Sequence, residues 1–254
     1  MTPGRTTPGD LTAETVTIPG HGGDAIEAYL ARPHGGVVTG GVVVIHHMPG
    51  YDAATKEITR KCAANGYLAL MPNLYSRESA GGADPDDAAA AARAAGGVPD
   101  ERLVDDVAGA VAHLRSLPGS NGKVATIGFC SGGRQSFLAA CSLDLDAAVD
   151  CYGAFVLTAP PDEFPLRVAP LGDRVGDLSC PLLGLFGSDD RYPGPDEVAE
   201  FERVLRAAGK DIEFYSYEGA GHAFFNTDRP SFRAEAALDG WERIWAFFGR
   251  HLSA

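Results

Sequence analysis

Residues 124–133 read Val-Ala-Thr-Ile-Gly-Phe-Cys-Ser-Gly-Gly. The apolar, β-branched start predicts a buried strand, and residues 134–140 directly after it follow a helical pattern. Cys130 stands between the two, flanked by Gly128 and Gly132. Such a strand–turn–helix pattern is typical of a nucleophile elbow, because the sharp turn strains the backbone of the nucleophile and glycines leave room for the neighbouring strand and helix.

The position of Cys130 also predicts its chemistry. A sulfur held at the N-terminus of a helix meets the positive end of the helix dipole, which favours the thiolate over the thiol. The alternative is a buried structural cysteine at the end of a strand. The stretch alone leaves both interpretations open.

The composition predicts one intracellular domain. No Pro/Gly/Ser-rich linker divides the 254 residues, so we expect a single domain over 12–254 and a disordered arm over 1–11. The N-terminus has no apolar segment of the kind that a signal peptide needs. The five cysteines are odd in number and contain no Cys-x-x-Cys motif, which favours a reducing cytoplasm and free thiols.

The charge excludes several classes of partner. The chain has 34 acidic and 21 basic residues, which gives a net charge of -13. Nucleic acids and anionic membranes attract basic surfaces, so neither is an expected partner. No apolar run is long enough to span a bilayer, and no phosphate-binding glycine motif occurs. His46 and His47 are adjacent on a predicted strand, so we expect them on opposite faces and predict no metal site.

Apolar strands alternate with amphipathic helices along the chain, after a hairpin predicted over 15–18 and 25–31. The strands are predicted at 41–47, 67–71, 123–130, 147–152, 181–186 and 212–217, and the helices at 55–65, 86–95, 101–117, 131–141, 238–252 and from 194 onward. This alternation predicts an α/β fold with a mostly parallel sheet and helices on both faces. In such sheets the functional site lies at the carboxyl ends of the strands.

The final predicted helix carries a conspicuous apolar stripe. Its members are Leu238, Trp241, Trp245, Phe248 and Leu252. Helical spacing of this kind is much more typical of core packing than of a cofactor site, so we expect all five to be buried.

Three segments at predicted strand ends bear reactive side chains. Cys130 follows one strand, Gly-Ser-Asp-Asp (187–190) follows another, and a glycine-rich loop with His222 follows a third. Nucleophile, acid and base in this chain order suit an acyl-transfer triad, in which the histidine takes the thiol proton and the carboxylate orients the imidazole. Taken singly, an aspartate there is more typical of a turn, and a histidine is more typical of an ordinary loop.

The chain resembles the dienelactone hydrolase family over roughly residues 12–252. The resemblance rests on Gly-Phe-Cys-Ser-Gly-Gly (128–133), Pro-Asn-Leu-Tyr-Ser-Arg (72–77), Gly-x-x-Asp (187–190) and Gly-His-Ala-Phe (221–224). It implies an α/β-hydrolase fold and a Cys-His-Asp triad, with no cofactor. By the family pattern Cys130 is the nucleophile, His222 the base, and Asp190 rather than Asp189 the acid.

The resemblance also assigns the surroundings of the thiol. The backbone N–H groups of Met48 and Ser131 match the family's oxyanion hole. Of the two arginines that bind the substrate carboxylate in dienelactone hydrolase, Arg77 matches one and Asn226 replaces the other. His47 replaces a glutamate that interacts with the resting thiol. We expect His47 either to favour the Cys130 thiolate or to form the pocket wall and select substrates, and these departures argue against dienelactone as the substrate.

The predicted function is hydrolysis of a small ester, lactone or thioester through an acyl-thiol intermediate, by a monomer or weak homo-oligomer. Residues 76–100 and 154–175 are predicted to form the lid and pocket walls. The alternative is a non-catalytic or redox-sensing thiol protein, for which Cys151 is the candidate resolving thiol. Ser131 is not expected to be the nucleophile, because it lies one residue past the apex of the elbow and should face away from His222.

Overall fold

The structure, a computed structural model, describes residues 11–34, 38–78 and 84–253. The predicted N-terminal arm therefore lies outside the described residues up to residue 10, and Leu11 already begins the first strand. The strands are β1 (Leu11–Pro19), β2 (Ala25–Pro33), β3 (Gly41–Ile45), β4 (Leu68–Pro72), β5 (Val124–Phe129), β6 (Ala147–Cys151), β7 (Leu182–Gly187) and β8 (Ile212–Tyr217). The α-helices are α1 (Ala53–Ala64), α2 (Pro85–Ala94), α3 (Asp100–Ser116), α4 (Ser131–Ala140), α5 (Pro195–Ala207) and α6 (Ala234–Leu252).

All eight strands form one sheet in the order β1-β2-β4-β3-β5-β6-β7-β8. The β1–β2 hairpin joins β4 antiparallel, and every pairing from β4 to β8 is parallel. Side chains of α2, α3, α4 and α5 share one hydrophobic cluster with one face of the sheet, and α1 and α6 share the other. The predicted parallel sheet with helices on both faces is confirmed.

Local sequence explains where the helices begin and end. Asp52 caps α1, because its carboxylate accepts a hydrogen bond of 2.8 Å from the backbone N–H of Thr55. Just beyond the end of α1, Gly66 adopts a φ of +93°, a conformation that glycine tolerates best. Pro195 begins α5, where its missing N–H costs nothing. None of the helices within the described ranges has the length and apolar character needed to cross a membrane.

Two expectations were wrong in detail. Strand β3 ends at Ile45, so His46 and His47 lie in the loop after it rather than on opposite faces of a strand. Leu238 is 67% exposed and Trp241 and Trp245 are only half-buried, although all three were expected in the buried stripe of the last helix. The buried face of α6 instead runs through Ala237 and Gly240. A Cβ at Gly240 would lie 2.4 Å from the Phe225 ring, so the helix rests on that ring at this point and turns Leu238 outward.

Candidate active site

The turn between β5 and α4 has the strained geometry of a nucleophile elbow. Cys130 adopts φ 57° and ψ -124°, directly before the first residue of α4. A Cβ at Gly128 would lie 1.8 Å from the carbonyl oxygen of Gly132, and a Cβ at Gly132 would lie 2.4 Å from that of Ile45. Neither position can hold a larger residue without movement of the backbone. The two glycines thus let strand, turn and helix meet and bring the end of β3 beside the thiol.

Cys130, His222 and Asp190 meet at the carboxyl edge of the sheet. The Nδ1–H of His222 donates to Oδ2 of Asp190 over 2.8 Å, and the other side of the imidazole is hydrogen-bonded to the thiol of Cys130. Asp190 is buried, whereas Asp189 is exposed and its carboxylate accepts from the hydroxyl of Ser188. The structure therefore brings Asp190, not Asp189, to His222.

These contacts shift the pKa values of the thiol and the imidazole in opposite directions. Burial opposes ionisation of Cys130, but its hydrogen bond with His222 and those from the backbone of Ser131 and Met48 outweigh burial and hold the thiol pKa below its usual value. Burial likewise opposes the imidazolium of His222, yet Asp190 and Cys130 together raise the pKa of that group. The arrangement favours a thiolate–imidazolium pair.

The two N–H groups predicted as oxyanion donors converge on the sulfur of Cys130. Ser131 supplies one from the start of α4, and Met48 supplies the other from the loop after β3. That loop is fixed at the backbone of Met48, where the hydroxyl of Tyr75 donates to the carbonyl oxygen over 3.0 Å. Donors held in place before the reaction need no reorganisation when charge develops on a substrate oxygen.

The buried side chain of His46 fixes the loop after β3 through two hydrogen bonds. Its Nδ1–H donates to the carbonyl oxygen of His47 over 3.0 Å, and its Nε2 accepts from the N–H of Leu74 over 3.2 Å. Burial lowers the pKa of His46 to about 4, so the ring is neutral and can donate on one side and accept on the other. Neither His46 nor Tyr75 was predicted as a positioning residue. Tyr75 lies within the Pro-Asn-Leu-Tyr-Ser-Arg motif (72–77), whereas His46 lies in none of the motifs that carry the family resemblance.

His47 lies in the cavity wall and is paired with a carboxylate. Its Nε2 is 2.6 Å from Oδ2 of Asp52, the residue that caps α1. Burial opposes ionisation of Asp52, but the contact with His47 and the hydrogen bonds from Thr55 outweigh it and lower the pKa of Asp52 to about 2. Any positive charge on His47 is therefore balanced locally, which favours the pocket-wall interpretation over a direct effect on the thiol.

Replacing His47 should consequently change substrate preference rather than thiol ionisation. We expect His47→Gln to keep the wild-type pH midpoint of Cys130 alkylation, measured between about pH 5 and pH 9, while the ratio of kcat/KM for a small and a bulky ester changes. His47→Glu is the matched variant. A higher midpoint in His47→Glu, with a smaller rise in His47→Gln, would contradict this expectation and support the electrostatic role.

Of the other two predicted substrate-binding residues, only Asn226 reaches the cavity. Arg77 does not line it. The guanidinium of Arg77 instead donates to both carboxylate oxygens of Asp106, over 2.8 and 2.9 Å, and to Asp24 over 2.7 Å. Asp106 is fully buried on α3, and a buried carboxylate needs such a partner. In this arrangement the hydrogen-bonding groups of Arg77 serve the fold and do not face the cavity, so a substrate-binding role for Arg77 stays a prediction without support from the geometry.

A cavity of about 870 Å³ opens above the thiol. The predicted wall segment 154–175 contributes four lining residues, whereas none of the described residues of 76–100 lines the cavity. Helix α2, inside that second segment, buries Ala88, Ala89 and Ala92 in the core instead. Helix α1 also lines the cavity, with residues that include Ile58 and Lys61, a role that the sequence did not indicate.

Backbone strain is concentrated at this cavity. Within the described ranges, the non-glycine residues with positive φ are Cys130 (57°), Tyr152 (46°), Phe155 (63°) and Ala223 (64°). All four line the cavity. Such conformations persist only where the surrounding structure enforces them, and they cluster at functional sites.

The parallel sheet, the elbow at the end of β5 and the acid and histidine after β7 and β8 define an α/β hydrolase. The sequence profile of the dienelactone hydrolase family matches residues 26–252, so the chain belongs to that family. At the level that the family defines, it is a hydrolase of carboxylic ester or lactone bonds.

Individual proteins are similar along nearly the whole chain. The Yersinia pestis protein named "Putative carboxymethylenebutenolidase" is 36% identical over 247 residues, 92% of this chain and 87% of the relative. An Escherichia coli K12 protein of the same name is 35% identical over 262 residues, 96% of this chain and 90% of the relative. The crystal structure titled "Putative Dienelactone Hydrolase" from Klebsiella pneumoniae superposes with a TM-score of 0.83 at 30% identity and covers 94% of this chain and 99% of that one.

Proposed function

We propose that this hydrolase acts through Cys130, His222 and Asp190 with an acyl-thiol intermediate. The observation that carries the proposal is the continuous hydrogen-bonded path from Asp190 through His222 to the sulfur, on which the N–H groups of Met48 and Ser131 also converge. Each group then has a role that fits its position. The thiolate attacks, the imidazolium holds the proton, and the carboxylate fixes the imidazole orientation.

The steps follow from that geometry. The sulfur of Cys130 bonds to the carbonyl carbon, and the electron pair of the C=O bond moves to oxygen, where the N–H groups of Met48 and Ser131 stabilise it. As the C–O bond to the alcohol breaks, His222 gives its proton to the departing oxygen. His222 then takes a proton from water as the water oxygen bonds to the acyl carbon. The C–S bond breaks, the acid is released, and the sulfur leaves as the thiolate that pairs with the imidazolium.

The proposed substrates are small esters and lactones, with thioesters as an extension of the same acyl chemistry. The two positions expected to bind a carboxylate supply no free cation, since Arg77 is held by acids and residue 226 is asparagine. Dienelactone itself is therefore not proposed as the substrate. The cytoplasmic location, the single domain and the monomeric or weakly oligomeric state stay predictions.

The redox-sensing alternative gains no support from the position of Cys151. This thiol is fully buried, and burial raises its pKa well above the usual value. A resolving cysteine has to reach and attack an oxidised partner, for which an exposed thiolate is needed. Hydrolysis is therefore the one function that we propose for Cys130.

Thiol alkylation tests the proposed nucleophile. We expect iodoacetamide near neutral pH to label Cys130 first and to abolish ester hydrolysis in proportion to labelling. The physical reason is the lowered pKa of Cys130, the half-buried thiol, while burial raises the pKa of Cys62, Cys141 and Cys180 to about 12 in each case. Peptide mapping against time gives the order of labelling. If Cys62 or Cys141 is modified first, the assignment of Cys130 fails.

A further inference from the structure

Three aromatic side chains form a continuous wall on one side of the cavity. The ring centroid of Phe155 lies 4.8 Å from that of Phe164 and 5.4 Å from that of Tyr192, and the last two are 5.5 Å apart. All three residues line the cavity, and we call them the aromatic wall. The ring planes meet at 68°, 41° and 70°, so two of the three contacts are edge-to-face and the one between Phe155 and Tyr192 is tilted. A planar aromatic guest can pack favourably on such a surface.

The backbone at Phe155 is held in a costly conformation. Its φ of 63° is unusual for so bulky a residue, and the ring is almost wholly buried. Two charged side chains fix it: the N–H of Phe155 donates to Oε1 of Glu197 over 2.9 Å, and its carbonyl oxygen accepts from Nε of Arg134 over 3.3 Å. Arg134 is itself 2% exposed and lines the cavity, although the proposed reaction does not use it. Strain enforced in this way points to a ring whose position matters for a ligand.

The aromatic wall is also connected to the proposed catalytic acid. Tyr192 lies two residues after Asp190, and its N–H donates to Oδ1 of that residue over 2.9 Å. The carboxylate that orients His222 therefore also fixes the start of the segment that carries Tyr192. The position of the wall relative to the thiol is set by this contact on one side and by the clamp on Phe155 on the other.

We propose that the aromatic wall of Phe155, Phe164 and Tyr192 is a binding site for a planar aromatic group, so that the preferred substrates are esters with an aromatic ring on the acyl or the alcohol side, such as benzoate and benzyl esters. This inference rests on the proposed function, since it names the substrate class of the same site. Flat rings gain both apolar burial and favourable ring–ring geometry on such a wall, whereas a saturated ring of similar size gains only the burial.

The test compares pairs of esters in which one member carries a planar aromatic ring and the other a saturated ring of the same size. Wild type, Phe164→Ala and Phe164→Leu are assayed with ethyl benzoate against ethyl cyclohexanecarboxylate, and with benzyl acetate against cyclohexylmethyl acetate. We expect wild type to prefer the aromatic ester in at least one pair. The ratio of kcat/KM within that pair should fall about tenfold in Phe164→Ala, equivalent to about 1.4 kcal/mol, and fall less in Phe164→Leu. The matched control is Phe232→Leu, a half-buried phenylalanine outside the cavity lining.

The outcomes separate this inference from the proposed function. An unchanged ratio in Phe164→Ala, or a wild type that shows no aromatic preference in either pair, overturns the aromatic site while leaving ester hydrolysis intact. Absence of hydrolysis with every ester refutes the proposed function instead. In that case the aromatic site is tested by binding alone, with ligand-observed NMR. Wild type should bind benzamide but not cyclohexanecarboxamide, and Phe164→Ala should no longer bind benzamide. Equal signals from both amides would contradict the aromatic site.

Discussion

Changing His222 to alanine is expected to lower kcat for ester hydrolysis by about 10³-fold or more. The imidazole is hydrogen-bonded to both the thiol and the buried Asp190, so its loss removes the proton carrier and the partner of the thiolate together. Cys130→Ala should lose a similar amount. Because the two residues act as a unit, the double variant should be little worse than either single one. Steady-state kinetics on one ester, with active protein quantified by a cooperative urea transition, measures the effect.

The neighbouring aspartates provide a matched control for the acid. Asp190→Asn should lose less activity than His222→Ala, because the carboxylate orients the imidazole rather than carrying a proton. Asp189→Asn should stay near wild type, since its exposed carboxylate contacts Ser188 and not His222. Activity retained in Asp190→Asn and lost in Asp189→Asn would move the acid by one residue.

Replacing Gly128 with alanine is expected to destabilise the folded protein by about 3 kcal/mol or more. The new Cβ would lie 1.8 Å from the carbonyl oxygen of Gly132, which belongs to the backbone of α4 and cannot rotate away as a side chain could. The helix would have to move off the end of β5 and carry the thiol with it. Urea unfolding followed by circular dichroism measures the loss, and activity should fall in the protein that remains folded.

Gly176→Ala is the control for that substitution. No atom lies within 4 Å of a Cβ built at Gly176, and its backbone is not in the left-handed region. We expect its unfolding free energy to stay within about 0.5 kcal/mol of wild type. If Gly128→Ala proved equally mild, the close contact between the end of β5 and the first turn of α4 would not be a constraint on the sequence.

The fold could be predicted because its signals are local. Continuous apolar runs such as 181–186 and helix ends such as the one predicted at residue 65, before Gly66, depend on neighbours in the chain, and the structure confirms them. The meeting of Cys130, Asp190 and His222 was predictable for another reason. Parallel strands all present their carboxyl ends at one edge, so three residues after three such strands are brought together by topology alone.

Long-range partners could not be read from the sequence. Arg77 resembles a substrate-binding residue by its motif, but its guanidinium is bound by Asp106, a buried acid on a helix 29 residues away. His46 likewise becomes a positioning residue only through Leu74 and the carbonyl of His47. Leu238 fits a helical stripe, yet the direction of that stripe depends on how closely Gly240 lets α6 approach Phe225. Each case is settled by packing between distant segments, which periodicity does not encode.

The groups that converge on the sulfur come from three parts of the chain, and this has a consequence for how the protein is made. Met48 follows β3, Ser131 follows β5, and these strands are neighbours in the sheet with Ile45 opposite Gly128. His222 is supplied only after most of the chain has been synthesised. Until then Cys130 lacks the hydrogen bond that contributes most to lowering its pKa. Alkylating or oxidising agents should therefore react with Cys130 more slowly in a nascent chain, and the rate of its alkylation should rise as the natively assembled fraction rises.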